Sequence, residues 1–203
     1  YRINGKTTYA LEGTIFIAGA GVQWLRDKIK FIKKASDTEK IAKSLSSNKG
    51  VYLVPAFTGL GAPYWNVNAR GILTGLTRDT GPKEITRATV ESVAYQTYDL
   101  FEAMKNDGLK PKLIKVDGGM VLNNWFSQFL SDTINTKVLR PKVNETTALG
   151  AAFMAGLQIG VYKSLKDIAK NWQADKSFKP RIKNSERKIL IDGWSKAIKK
   201  ALS

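Results

Sequence analysis

The sequence predicts a layered α/β domain. Short runs of apolar and β-branched residues (51–55, 70–76, 112–116, 137–140) have the character of strands. Amphipathic stretches of helical period lie between them, and alternation of the two kinds is the pattern of helices packed on a sheet. The strand at 112–116 runs through Asp117 into Gly118-Gly119 and then into Met120-Val121-Leu122-Asn123-Asn124, a strand-to-helix junction.

The elements follow in order. Tyr1-Arg2-Ile3-Asn4-Gly5 reads as the middle of a hairpin, and Tyr9-Ala10-Leu11-Glu12 as a strand. From 22 to 34 the spacing of Val22, Leu25, Ile29 and Ile32 predicts one helix with a single apolar face. Ser36 and Glu39 have the spacing of a capping box at the start of a short helix. Residues 51–55 form a buried type of strand, and 58–66, rich in turn residues, a structured loop carrying Tyr64 and Trp65. After the strand 70–76, Gly81-Pro82 opens the longest helix, with Ile85, Ala88, Val93, Leu100, Phe101 and Met104 on its apolar face. It stops near Asn106-Asp107-Gly108. A helix follows the double glycine to about Asn135, then a strand 137–140 ended by Pro141. Thr146-Thr147-Ala148-Leu149-Gly150-Ala151-Ala152 opens a helix lined with small residues, and 164–170 is a further short helix. Phe178-Lys179-Pro180 begins an extended stretch, and 185–201 forms a basic amphipathic helix.

Composition excludes several chemistries. The 203 residues hold no cysteine and no histidine. Disulfides, thiol nucleophiles, a Ser-His-Asp triad and the usual zinc site are therefore out of reach. No apolar run is long enough to span a bilayer and no signal peptide is visible, so a cytoplasmic protein is expected. The formal charge is +16, but lysines scattered over helix faces supply most of it. That pattern reads as solvated surface rather than a nucleic-acid stripe, which would add arginines and a recognisable module. The chain opens without Met, and is expected to be a piece of a longer protein.

The junction at Gly118-Gly119 carries the functional signal. Glycines there let a ligand approach the backbone, and a helix start offers unpaired N–H groups to an anion. A nucleotide fits both properties, although such junctions also exist only to make a tight turn.

Longer blocks narrow the choice. Gly71-Ile72-Leu73-Thr74-Gly75-Leu76, then seven residues, then Glu84-Ile85-Thr86-Arg87-Ala88-Thr89-Val90-Glu91, resembles the second signature of the FGGY carbohydrate kinases. Gln23-Trp24-Leu25-Arg26-Asp27, the block 55–65, Ser92-Val93-Ala94-Tyr95-Gln96 and the block 147–152 resemble the glycerol-phosphorylating branch of that family. The resemblance covers about 9–194. It implies an RNase H-like, actin-like ATPase domain with a mixed sheet flanked by helices. Residues 1–203 would then be the C-terminal, ATP-binding domain, without the N-terminal domain that holds most of the acceptor site and the catalytic aspartate. The implied reaction moves the γ-phosphoryl group of ATP to glycerol with Mg²⁺, in a full-length enzyme that is a homo-oligomer. The fragment alone is expected to be inactive.

The same resemblance implies that Gly19, Gln23, Gly118, Gly119 and Asn123 contact the nucleotide. Gly119 would admit it to the backbone and Asn123 would face the adenine, whereas Gly118 suits the turn itself. Gly19 and Gln23, four apart, would share a helix face. Asp117, Glu91, Glu12, Arg26 and Arg70 read as structural. Asn66 stands where many relatives carry aspartate. Other readings are a different FGGY sugar kinase, a non-catalytic actin-like nucleotide-binding module, or a basic nucleic-acid binder.

Overall fold

The computed structural model describes residues 1–3 and 5–203. The chain opens on a hairpin of β1 (Arg2–Ile3) and β2 (Lys6–Thr7), with Arg2 opposite Thr7. The hairpin residue Asn4 lies outside the described residues. Residues 9–12 form no strand: Tyr9 is 90% exposed, and no described segment lies alongside to share a ladder.

The next departure is at the first helix, α1 (Gly19–Asp27). It ends well before residue 34. The N–H of Lys28 closes onto Trp24, that of Phe31 turns back to Leu25, and Lys30 takes φ 60°. The periodicity misled because Ile32 does join Val22 and Leu25 in one buried cluster, but through a reversed chain and not a continuous helix face. The reversal brings α2 (Asp37–Ser44) back beside α1, so that both border one cavity. No capping box forms there. Ser36 makes no side-chain cap, and Asp37 instead accepts from the N–H groups of Lys33 and Lys34 at 3.1 and 2.8 Å.

The centre of the molecule is α3 (Pro82–Asn106), begun by Pro82 in its first turn and by Glu84, which accepts from the Gly81 N–H at 3.1 Å. It packs on α1, α2, α4 (Asn124–Ile134) and the strand β3 (Tyr52–Val54), which pairs antiparallel with β4 (Ile72–Thr74). Within α3, Glu91 is fully buried and holds three donors: Arg87 Nε at 2.7 Å, Asn48 Nδ2 at 2.9 Å and the Tyr95 hydroxyl at 3.2 Å. Burial pushes its carboxyl pKa upward, and Arg87 opposes that push.

A second sheet is mixed. β5 (Leu113–Lys115) runs parallel to β6 (Lys137–Pro141), with α4 as the crossover, and β6 runs antiparallel to β7 (Ala174–Phe178). β7 ends where the sequence placed the start of an extended stretch. Ala174-Asp175-Lys176-Ser177 is too polar to read as a strand, and it is held by its ladder and by Arg140, whose guanidinium grips Asp175. After α5 (Thr146–Gln158) and α6 (Leu165–Ala169), α7 (Asn184–Leu202) lies against β3, β4 and α4 and buries Trp194. The Trp194 ring stacks on Tyr95 at 5.3 Å, and its Nε1 donates to Asp99 at 2.7 Å. α5 is different: only Gly156 in it is buried.

Candidate functional site

A cavity of about 480 Å³ opens where α1, α2 and the Gly118-Gly119 junction meet. That is within the usual range for a small-molecule site. Two neighbouring stretches and one distant in sequence wall it: Gly19, Gln23 and Arg26 from α1; Ala35, Thr38 and Glu39 from the turn into α2 and its first residues; and Gly119, Met120 and Asn123 from the junction. The junction lies at the carboxyl end of β5, where open α/β sheets place ligands.

Each wall has a local cause. Gly118 takes φ 84° and ψ 175°, a conformation closed to side chains, so the chain turns sharply after β5. The expected helix does not begin at once: Gly119–Leu122 form a 3₁₀ turn, and α4 starts only at Asn124. Asn123 is the N-cap of α4, its Oδ1 accepting from the Phe126 N–H at 2.9 Å. Its Nδ2 donates to Thr38 Oγ1 at 3.2 Å, tying the two helices together.

Two glycines on the walls have no packing reason to be glycine. A Cβ on Gly19 or Gly119 would meet no atom within 4 Å, and neither residue has positive φ. Gly21, by contrast, is packed: its Cβ would lie 3.1 Å from Thr89 Cγ2. The small residues of α1 are thus of two kinds, one facing helix α3 and one facing the cavity. The first turn of α1 has no side-chain cap and no acidic residue; its Gly21 N–H turns back to the Ala18 carbonyl at 3.1 Å, while those of Gly19 and Ala20 stay open to an anion. Gln23 is exposed, and its amide has no partner among the described residues.

Of the five residues the sequence singled out, Gly19, Gln23, Gly119 and Asn123 line this one cavity, and Gly118 stands beside it as the turn. Sequence reading missed Arg26, Ala35, Ser36, Thr38 and Glu39 as wall residues. Arg26 pairs side-on with the adjacent Asp27 at 2.6 and 2.8 Å, a hydrogen bond that also holds the Asp27 carboxyl below the usual carboxylate range. The others became visible only with the chain reversal after Asp27. Asp117 is exposed, and Glu91 is occupied by Arg87. Arg70 donates to the carbonyls of Val67 and Ala69. Asn66 organises its loop by accepting from the N–H groups of Asn68 and Ala69, both at 2.9 Å, which an aspartate would do equally well.

The fold is that of sugar kinases, an actin-like ATPase fold. A crystal structure of glycerol kinase from Plasmodium falciparum with ADP superposes with a TM-score of 0.84 at 36% identity, over 93% of this chain and 38% of that one. A ligand-bound xylulose kinase from Lactobacillus acidophilus gives 0.74 at 25% identity, over 89% of this chain and 36% of that one. The chain belongs to the FGGY family of carbohydrate kinases: the model of that family's C-terminal domain matches residues 2–159. It is 56% identical to glycerol kinase of Alteromonas mediterranea over 98% of its length, and 56% identical to glycerol kinase of Ectopseudomonas mendocina over all of it. It spans 40% and 41% of the length of those two relatives.

Proposed function

We propose that this chain is the nucleotide-binding part of an enzyme that transfers the γ-phosphoryl group of ATP to glycerol, giving sn-glycerol 3-phosphate and ADP. The observation that carries the reading is a nucleotide-sized cavity onto which two unpacked glycines, an uncapped helix start and a free glutamine amide all open. The names of the relatives supply the acceptor, and the ADP of one solved neighbour supports the donor.

Gly119 admits the nucleotide to the backbone of the junction, and Gly19 does the same at the start of α1. Gln23 and Asn123 offer amide groups to the base and sugar. The open N–H groups of Gly19 and Ala20 suit phosphate oxygens. Phosphoryl transfer requires the donor to be positioned and its charge neutralised, and requires a carboxylate to take the acceptor's proton. Among the described residues no three metal-ligating side chains cluster together. Mg²⁺ in such enzymes is held largely by substrate phosphates and water. We place the acceptor site and the catalytic carboxylate in the remaining three-fifths of the relatives' length. We place the whole enzyme in the cytoplasm as a homo-oligomer. Among the described residues no helix is long and apolar enough to cross a membrane.

Calorimetric titration with ADP tests the reading. Residues 1–203 should bind ADP weakly and Gly119→Trp should not, so equal heats from the two proteins would remove the assignment. The same chain should release no ADP from ATP when glycerol is added. Glycerol-dependent turnover by 1–203 alone would move the catalytic base into this domain.

A further inference from the structure

Where α2 meets α4, at the rim of the cavity, four groups form a one-way chain of hydrogen bonds. The Phe126 N–H can only donate, so the Asn123 amide must turn its oxygen to it, at 2.9 Å. Its nitrogen therefore faces Thr38 and donates to Oγ1 at 3.2 Å. The Ala35 carbonyl can only accept, and it takes the Thr38 hydroxyl proton at 2.6 Å. A backbone group at either end thus sets every direction in the chain. Thr38 is only 3% exposed, so water competes poorly for its hydroxyl. One residue on, Asn124 Nδ2 reaches Glu39 Oε1 at 3.4 Å and ties the same two helices again.

We propose that Thr38 is a positioning residue for nucleotide recognition: through Ala35 it fixes the Asn123 amide in one orientation at the cavity wall. The proposal rests on the adenine-nucleotide reading above. Fixed in this way, Asn123 keeps one lone pair on Oδ1 and one proton on Nδ2 uncommitted. An acceptor beside a donor matches the N6–H and N7 edge of adenine. It mismatches the O6 and N7 edge of guanine, where the amide oxygen would face another acceptor. Thr38 touches no part of the base in this scheme. It acts on the base indirectly: together with the Phe126 N–H it denies Asn123 the flipped orientation.

The test is calorimetric titration of residues 1–203 with ADP and with GDP. Thr38→Val keeps the shape and removes the hydroxyl. It should weaken ADP binding about five- to tenfold and narrow the preference for ADP over GDP, the size expected for one hydrogen bond. Thr38→Ser keeps the hydroxyl and should restore both. Unchanged ADP affinity and an unchanged ADP-to-GDP ratio in Thr38→Val overturn the proposal. If Thr38→Val does not fold, NMR of the unmutated chain decides. The two side-chain amide protons of Asn123 should then respond unequally to ADP, the uncommitted one moving further. Equal shifts, or none while Gly119 responds, overturn the proposal alone. Absence of any ADP response in the unmutated chain removes the nucleotide reading and this proposal with it.

Discussion

Gly118 sits at φ 84°, where a side chain is strained, while Gly119 has an ordinary φ and empty space where a Cβ would stand. Alanine at the two neighbours should therefore have different effects. Gly118→Ala should lose about 1–3 kcal/mol of stability in urea unfolding, the scale of one forbidden backbone conformation. Gly119→Ala should stay within about 0.5 kcal/mol of the unmutated chain. Asp99 makes a second prediction at this scale. Burial raises its carboxyl to about 6, against the Trp194 Nε1 and Tyr64 hydrogen bonds that favour the charged form. The folded state thus holds a proton that the unfolded state has lost, and Asp99 works against stability as pH rises through the window from about 4 to 6. Asp99→Asn, which never ionises, should gain on the unmutated chain between pH 4 and pH 7 by roughly 2 kcal/mol. Paired urea titrations at the two pH values check this. A gap that stays constant across that window would contradict it.

Among the elements, α7 contains a glycine that ordinary helix propensity would replace. Alanine is favoured over glycine in a helix interior by about 1 kcal/mol. At Gly193, however, a Cβ would strike the hydroxyl and ring of Tyr52, which must come close for its hydroxyl to reach the Leu190 carbonyl at 3.2 Å. Overpacking costs about 1–3 kcal/mol, so packing outweighs propensity and Gly193→Ala should lower the melting temperature. The element scale also explains what was legible beforehand. α3 was readable from end to end, because Pro82, Glu84 and a long apolar stripe all act locally. β3 was readable because a fully buried strand is apolar throughout. The reversal after Asp27 was not, because Ile32 keeps its helical spacing while reaching the same cluster by another path. β7 was not readable either, since its polar residues become a strand only when β6 supplies the ladder. The reversal also hid a third of the cavity wall: Ala35, Ser36, Thr38 and Glu39 reach it only after the chain turns back.

Taken whole, the molecule is unevenly consolidated. One large cluster joins β3, α3, α4, β6 and α7 around Tyr95, Phe129 and Trp194. α5 stands outside it, with Met154 half-exposed and Ile159, just past its end, 78% exposed. Backbone amides open locally where few apolar contacts hold them. Hydrogen exchange should therefore be slowest in the Val90–Tyr95 turns of α3 and much faster throughout α5, although α5 is the more hydrophobic sequence. Comparable protection of the two helices would show that α5 is held by something other than the contacts seen here.

The cavity's walls come from two neighbouring segments, 19–26 and 35–39, and from a distant third, 119–123, and they meet only in the folded chain. An unravelled polypeptide therefore has nothing with which to hold the ligand, and every bound molecule counts against unravelling. Occupancy acts as a thermodynamic brake: at a hundred times its dissociation constant a ligand adds about 2.7 kcal/mol to the unfolding free energy. A thermal melt should thus climb with ligand concentration and go on climbing after the binding isotherm has levelled off.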